Sequence, residues 1–198
     1  KGEPVEGVTG ATVLMGINED KLQGCKISSN ASCTTNAASP LIQILHEAIG
    51  IEKASLSTVH GYTGTQKLVD SPDAKDWRRG RAAAHNIVPS TTGAAKAVAL
   101  AIPDLAGKFD GIAIRVPVIT GSIADITFIA KRNTSVEEVN NILKAAAATE
   151  RWSKVFTVTE EQLVSSDIVG NKYASIADRT LTNVVDGNLV KVLAWYDN

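Results

Sequence analysis

The run Ser32-Cys33-Thr34-Thr35-Asn36 sets a thiol among hydroxyls and an amide. Apolar residues recur behind it at Ala38, Leu41, Ile42, Leu45 and Ile49 and stop at Gly50. That is the spacing of a helix ending on a residue suited to the left-handed region, so a helix is expected over 33–49. Cys33 then stands in the first turn, where unpaired N–H groups and the helix dipole favour negative charge. A thiolate, the nucleophilic form of cysteine, is favoured at such a place. The competing assignment is a small buried cysteine that serves only as a core hydrophobe. Position alone does not choose between them.

His60 closes a stretch, 54–60, whose alternation suits a strand, and Gly61-Tyr62-Thr63 follows it. A ring at that sheet edge, facing the helix start, would form a thiolate–imidazolium pair with Cys33, although a lone histidine is more often a structural residue. Nothing in the sequence shows that the two meet in space. Thr92-Gly93 ahead of a second helix and Arg115 within an apolar strand are further candidates. Each also has a plain explanation, as a helix cap and as half of a structural ion pair. His46 on the expected helix and His85 in a long loop carry no functional signal.

Around these residues the elements alternate in a definite order. Stretches 11–17 and 25–29, separated by Asn18-Glu19-Asp20, are expected to be two strands joined by a turn. Pro40 lies inside the expected helix, where it removes one backbone hydrogen bond. Residues 61–89 form a long, polar, arginine-rich loop. A second helix over 93–102 follows Ser90-Thr91-Thr92 and ends at Pro103, and Ser135 with Glu138 forms a capping box for a third. Strands are expected at 111–117, 123–130, 173–177 and 189–196. The fold class is therefore α+β: a mixed, mainly antiparallel sheet with helices packed on one face.

Composition narrows the function classes. In 198 residues, 20 Lys and Arg face 21 Asp and Glu, a formal net charge of −1 that favours neither a nucleic acid nor a membrane surface as partner. The apolar stretch 94–102 is short and holds Lys96, so no bilayer span is expected. Two cysteines, Cys25 and Cys33, make a poor disulfide framework, so a reducing cytoplasm is the expected location. No metal site is expected. The opening, 1–10, looks like a surface loop rather than a natural start, so the chain is expected to be part of a longer polypeptide.

Asn30-Ala-Ser-Cys-Thr-Thr-Asn36 resembles the nucleophile signature of the phosphorylating glyceraldehyde-3-phosphate dehydrogenases. His60-Gly-Tyr-Thr63, Trp77-Arg-Arg-Gly-Arg81, Asn86-Ile-Val-Pro89, Ser90-Thr-Thr-Gly-Ala-Ala-Lys-Ala97, Arg115-Val-Pro117 and Trp195-Tyr-Asp-Asn198 follow in that family's order and spacing. The resemblance covers nearly the whole chain.

It implies that Cys33 attacks an aldehyde, that His60 is its base, and that inorganic phosphate cleaves the resulting thioester after NAD has taken a hydride. It assigns Thr63 and Arg115 to the phosphate of glyceraldehyde 3-phosphate, and Ser32, Thr34, Thr92 and Gly93 to inorganic phosphate. Asn198 would contact the nicotinamide amide, and Arg78, Arg79 and Arg81 would support the phosphate site and a homotetramer interface. Residues 1–31 would be the tail of a Rossmann-type NAD domain and 32–198 the catalytic domain, with the family's final helix missing. No Gly-x-Gly-x-x-Gly occurs in the chain, so NAD would be held mostly by the absent domain.

Departures are few. Ala37 replaces the second cysteine common in the family, Thr65 stands where some bacterial members have aspartate, and Ser71-Pro72 leans toward NAD over NADP. The alternatives are an isolated domain without turnover of its own and an erythrose-4-phosphate dehydrogenase.

Overall fold

The computed structural model describes residues 6–74 and 76–198; of the expected opening loop, 1–5 lie outside the described residues. Helix α1 (Cys33–Ile49) occupies the range its apolar spacing implies. Ser32 caps its start, with Oγ accepting from Thr35 N at 3.2 Å, and Gly50 ends it at φ 71°. Its apolar face, including Ala38, Leu41, Ile42 and Leu45, is buried. The helix runs through buried Pro40, and the bond that proline removes is the one to the Asn36 carbonyl.

Beneath α1 lies an eight-stranded sheet. Its strands are β3 (Ile51–Gly61), β4 (Val88–Thr91), β5 (Phe109–Val116), β6 (Ser122–Ala130), β7 (Phe156–Thr159), β8 (Ser175–Asp178), β9 (Asn183–Val185) and β10 (Leu189–Tyr196). The order is β4-β5-β3-β6-β10-β8-β7, with β9 also pairing β10. Only β3–β5 and β7–β8 are parallel. Alternate residues of the central strands, such as Leu56, Ile126, Phe128, Val190 and Val192, form the core under α1, α2 (Ala94–Ala101) and α3 (Val136–Ala147). α1 packs between the other two helices. The fold is thus α+β, with helices on one face of a mixed, mainly antiparallel sheet. The other face leaves Val59, Ile112 and Leu189 exposed, and Lys191 pairs with Asp125 there at 2.6 Å.

Short segments depart from the sequence expectation. Strand β1 (Gly10–Thr12) ends early, because Asn18 Oδ1 accepts from Leu14 N at 2.7 Å and folds 14–18 into a turn. It pairs parallel to β2 (Ile27–Ser29), with a 3-10 turn at Glu19–Gly24 between them. Strand β4, expected as loop and cap, contains Pro89; it is an edge strand, where a missing N–H is tolerated. β7 and β9 were not expected at all, and 173–177 begins as strand only at Ser175.

The capping box of α3 is half formed. Ser135 Oγ accepts from Glu138 N at 3.2 Å, but the Glu138 carboxylate turns to Arg132 (2.7 Å) and Thr134 (2.7 Å), which hold its pKa down to about 2. Ser135→Ala should therefore lower the unfolding free energy by about 1 kcal/mol, the usual worth of one N-cap. Urea unfolding checks this; no change in midpoint would mean that Glu138 alone anchors the helix start.

Candidate active site

The first helical hydrogen bond of α1 runs from Asn36 N to Ser32 O at 3.0 Å, so the N–H groups of Cys33 and Thr34 precede it and face outward. Cys33 Sγ is half-buried and lies 3.5 Å from His60 Nε2. Beside it opens a cleft of about 380 Å³, bounded by Met15, Asn30, Ala31, Ser32, Asn36 and Asp197 among others. Cys25 is also a free thiol; among the described residues its sulfur makes one bond, a long one of 3.7 Å to Leu22 O.

His60 reaches the thiol because β3 carries Leu56, Thr58 and His60 on its helix-facing side, the period of two that any strand imposes. Parallel pairing sets Arg115 of β5 opposite His60. On the other flank β6 supplies Ser122, one place beyond the Val59–Ile123 pair, and Ser122 pairs with Tyr196 of β10. Arg115, His60, Ser122 and Tyr196 thus form one row across four adjacent strands.

The His60 ring is 3% exposed, and its Nδ1 lies 2.6 Å from Gly61 O. A carbonyl accepts only and a guanidinium donates only, so Gly61 O and Arg115 ask opposite roles of Nδ1; in the tautomer that donates to Gly61 O, the Nε2 lone pair faces the sulfur. Arg115 Nη1 lies against the same Nδ1 and donates to Gly61 O at 3.1 Å. Burial is the main cause that lowers the His60 pKa from 6.5 to about 4; the Gly61 bond opposes it, and the Arg115 charge adds to it. The imidazole is therefore neutral at neutral pH. Burial also works against the Arg115 cation, and the like charge of Arg79 contributes in the same sense.

Under the helix start runs a chain of hydroxyls. Thr58 Oγ1 donates to Ile123 O at 3.2 Å, so it accepts from Tyr196 Oη at 2.7 Å, and Tyr196 in turn accepts from Thr34 Oγ1 at 2.8 Å. Burial pushes the Tyr196 pKa up to about 12. The Thr34 hydroxyl is committed inward, which leaves the backbone N–H at the helix start as the other donor of Thr34. The Tyr196 and His60 rings also meet in a T-shaped contact, with centroids 5.8 Å apart.

The remaining candidates sit at the rim. Thr63 Oγ1 bonds Thr65 Oγ1 at 3.0 Å, and Thr63 N donates to Gln66 Oε1 at 3.4 Å. Thr92 Oγ1 accepts from Ala94 N at 3.2 Å, just ahead of α2, and Gly93 is exposed; among the described residues no hydrogen bond joins them to Cys33 or His60. Arg79 donates to Ser90 Oγ at 3.1 Å and pairs with Asp76, whereas Arg78 and Arg81 are exposed. Asn198 Oδ1 accepts from Ser122 Oγ at 2.6 Å and Gly121 N at 3.1 Å.

Sequence reasoning gave no role to Thr58, Ser122 or Tyr196. Tyr196 lay within a motif already singled out, but only the strand register reveals what it touches.

Residues 32–198 match the family described as glyceraldehyde 3-phosphate dehydrogenase, C-terminal domain. The chain is 46% identical over 189 residues to the glyceraldehyde-3-phosphate dehydrogenase of Borreliella burgdorferi, covering 94% of this chain and 56% of that protein. It is 50% identical over 192 residues to the one from Streptococcus pyogenes and 48% identical over 189 residues to the one from Geobacillus stearothermophilus, each with the same coverage of 94% and 56%. It spans about half the length of the curated relatives it matches. The chain belongs to the glyceraldehyde-3-phosphate dehydrogenase family, matching its C-terminal, catalytic domain.

Proposed function

We propose that this chain is the catalytic part of an NAD-dependent enzyme that converts glyceraldehyde 3-phosphate and inorganic phosphate to 1,3-bisphosphoglycerate through a thioester on Cys33. The observation that carries this reading is the 3.5 Å approach of Cys33 Sγ to Nε2 of His60, at the start of a helix. As sulfur bonds to the aldehyde carbon, Nε2 takes the thiol proton and passes it to the former carbonyl oxygen. The Cys33 N–H, free of helical bonding, is the natural donor to that oxygen. Nε2 then removes the hydroxyl proton as the carbon is oxidised, and an oxygen of inorganic phosphate displaces the thiolate.

Two anions must be held in a chain with almost no net charge. Arg115 and Thr63 take the substrate phosphate; Ser32, the Thr34 N–H, Thr92 and Gly93 take inorganic phosphate. The half-buried Arg115 cation, repelled by Arg79, is stabilised by such a counter-charge. NAD supplies the acceptor for hydride when bound. The residues present fit its nicotinamide end: Asn198 Nδ2 has no partner among the described residues, and the cleft beside Cys33 has room for a flat ring. The rest of NAD falls to a domain of which 1–31 is the tail, with 32–198 as the catalytic domain. A homotetramer accords with the exposed Val59, Ile112 and Leu189 on the sheet face away from the helices, and the cytoplasm is its proposed location.

Arg115→Ala in the full-length protein should cut kcat/KM for glyceraldehyde 3-phosphate by about 10- to 100-fold more than for unphosphorylated glyceraldehyde, the worth of a charged hydrogen bond. Steady-state kinetics with both aldehydes checks this; equal losses would confine Arg115 to its contact with His60.

The His60 ring also predicts a pH dependence. Its folded pKa, about 4, lies below the ordinary 6.5, so its contribution to stability is present above about pH 6.5 and is lost as pH falls toward 4. Urea unfolding of wild type and His60→Gln across that window should show the wild type losing more stability than the variant. Parallel losses would mean that the ring is not held neutral.

A further inference from the structure

Ser122 opens β6 and is 2% exposed, yet it joins two parts of the site. Its Oγ accepts from Gly61 N at 3.2 Å and bonds Asn198 Oδ1 at 2.6 Å. The direction is fixed by the partners. A backbone N–H only donates, so Gly61 leaves the Ser122 proton for the amide oxygen. Gly121 N also donates to Oδ1, at 3.1 Å, and this determines the Asn198 flip, since an NH₂ in that place would face a donor. The Asn198 NH₂ therefore points away from Ser122 and Gly121.

Gly61 is the other half of the junction. Its carbonyl holds His60 Nδ1 at 2.6 Å, and a Cβ on it would lie 3.2 Å from Asn198 Oδ1 and 2.9 Å from Val118 O. One buried hydroxyl thus ties the peptide that orients the base to the amide two residues past β10. Without it, Gly61 N–H is left buried and unpaired, and Asn198 loses the shorter of its two fixed bonds.

We infer that Ser122 is a positioning residue that holds Asn198 with its NH₂ presented to a carbonyl oxygen of the ligand, the carboxamide of a nicotinamide, in register with His60. The inference rests on the dehydrogenase reading above. It is tested in the full-length protein by fluorescence titration with NAD and with ADP-ribose, which lacks the nicotinamide, using Ser122→Ala, Asn198→Ala and the double variant.

Ser122→Ala should weaken NAD binding by about 3- to 10-fold, the range for one neutral hydrogen bond, and leave ADP-ribose binding unchanged. The double variant should bind NAD no more weakly than Asn198→Ala, because the hydroxyl acts through that amide. Equal weakening of both ligands, or full additivity, would overturn the positioning role. NAD binding by Asn198→Ala at wild-type strength would overturn the nicotinamide assignment itself, and the role of Ser122 with it. Should Ser122→Ala fail to fold, Ser122→Cys keeps the shape with a weak donor and should show the same selective loss for NAD; wild-type NAD affinity in that variant would overturn the inference.

Discussion

Side chains on a strand reach a given face only at every second residue, so four groups stand in one row only if three separate strand pairings are in register. Arg115, His60, Ser122 and Tyr196 meet that condition across β5, β3, β6 and β10. A slip of one residue in β3 would turn His60 to the face away from the helices and break the Cys33 contact. The core fixes the register: Leu56, Ile126 and Val192 are buried side by side under α1, and any slip by one would expose them. The chemistry at the sheet end is thus placed by apolar packing further down the same strands.

The helix is held to that row by polar bonds rather than by further apolar area. Thr34, Tyr196 and Thr58 pass a single proton direction from α1 to β10 to β3 and end on the Ile123 carbonyl. Tyr196 and Thr58 each use both donor and acceptor and Thr34 uses its donor, so none of the three hydroxyls is left without a partner beneath the thiol. With the proton of His60 on Nδ1, toward Gly61 O, Nε2 faces Cys33 as an acceptor. Burial and the neighbouring Arg115 both keep the ring neutral.

Much of this architecture was legible in the residues. The 38-41-42-45-49 spacing and Gly50 bounded α1 and put Cys33 in its first turn, and the alternation of 54–60 put His60 near a strand end. Three short strands were not legible: β4, β7 and β9 are held by neighbours, not by a pattern of their own. In 11–17 the apolar run suggested a longer strand, but Asn18 competes for the backbone at Leu14 and ends it. Ser122, Thr58 and Tyr196 carry no local signal, because their partners lie 61 to 162 residues away along the chain. Pattern gives the face on which a residue stands; register, which decides its neighbours, is a tertiary property.

The account stands or falls on covalent chemistry at Cys33. The direct measurement is peptide mass spectrometry of the full-length protein quenched in acid after mixing with glyceraldehyde 3-phosphate and NAD in phosphate-free buffer. The account predicts an acyl group on the peptide that carries Cys33, none on Cys25, and its disappearance when inorganic phosphate is added before the quench. An unmodified Cys33 under conditions where NADH is formed, or an adduct that phosphate leaves untouched, would contradict it.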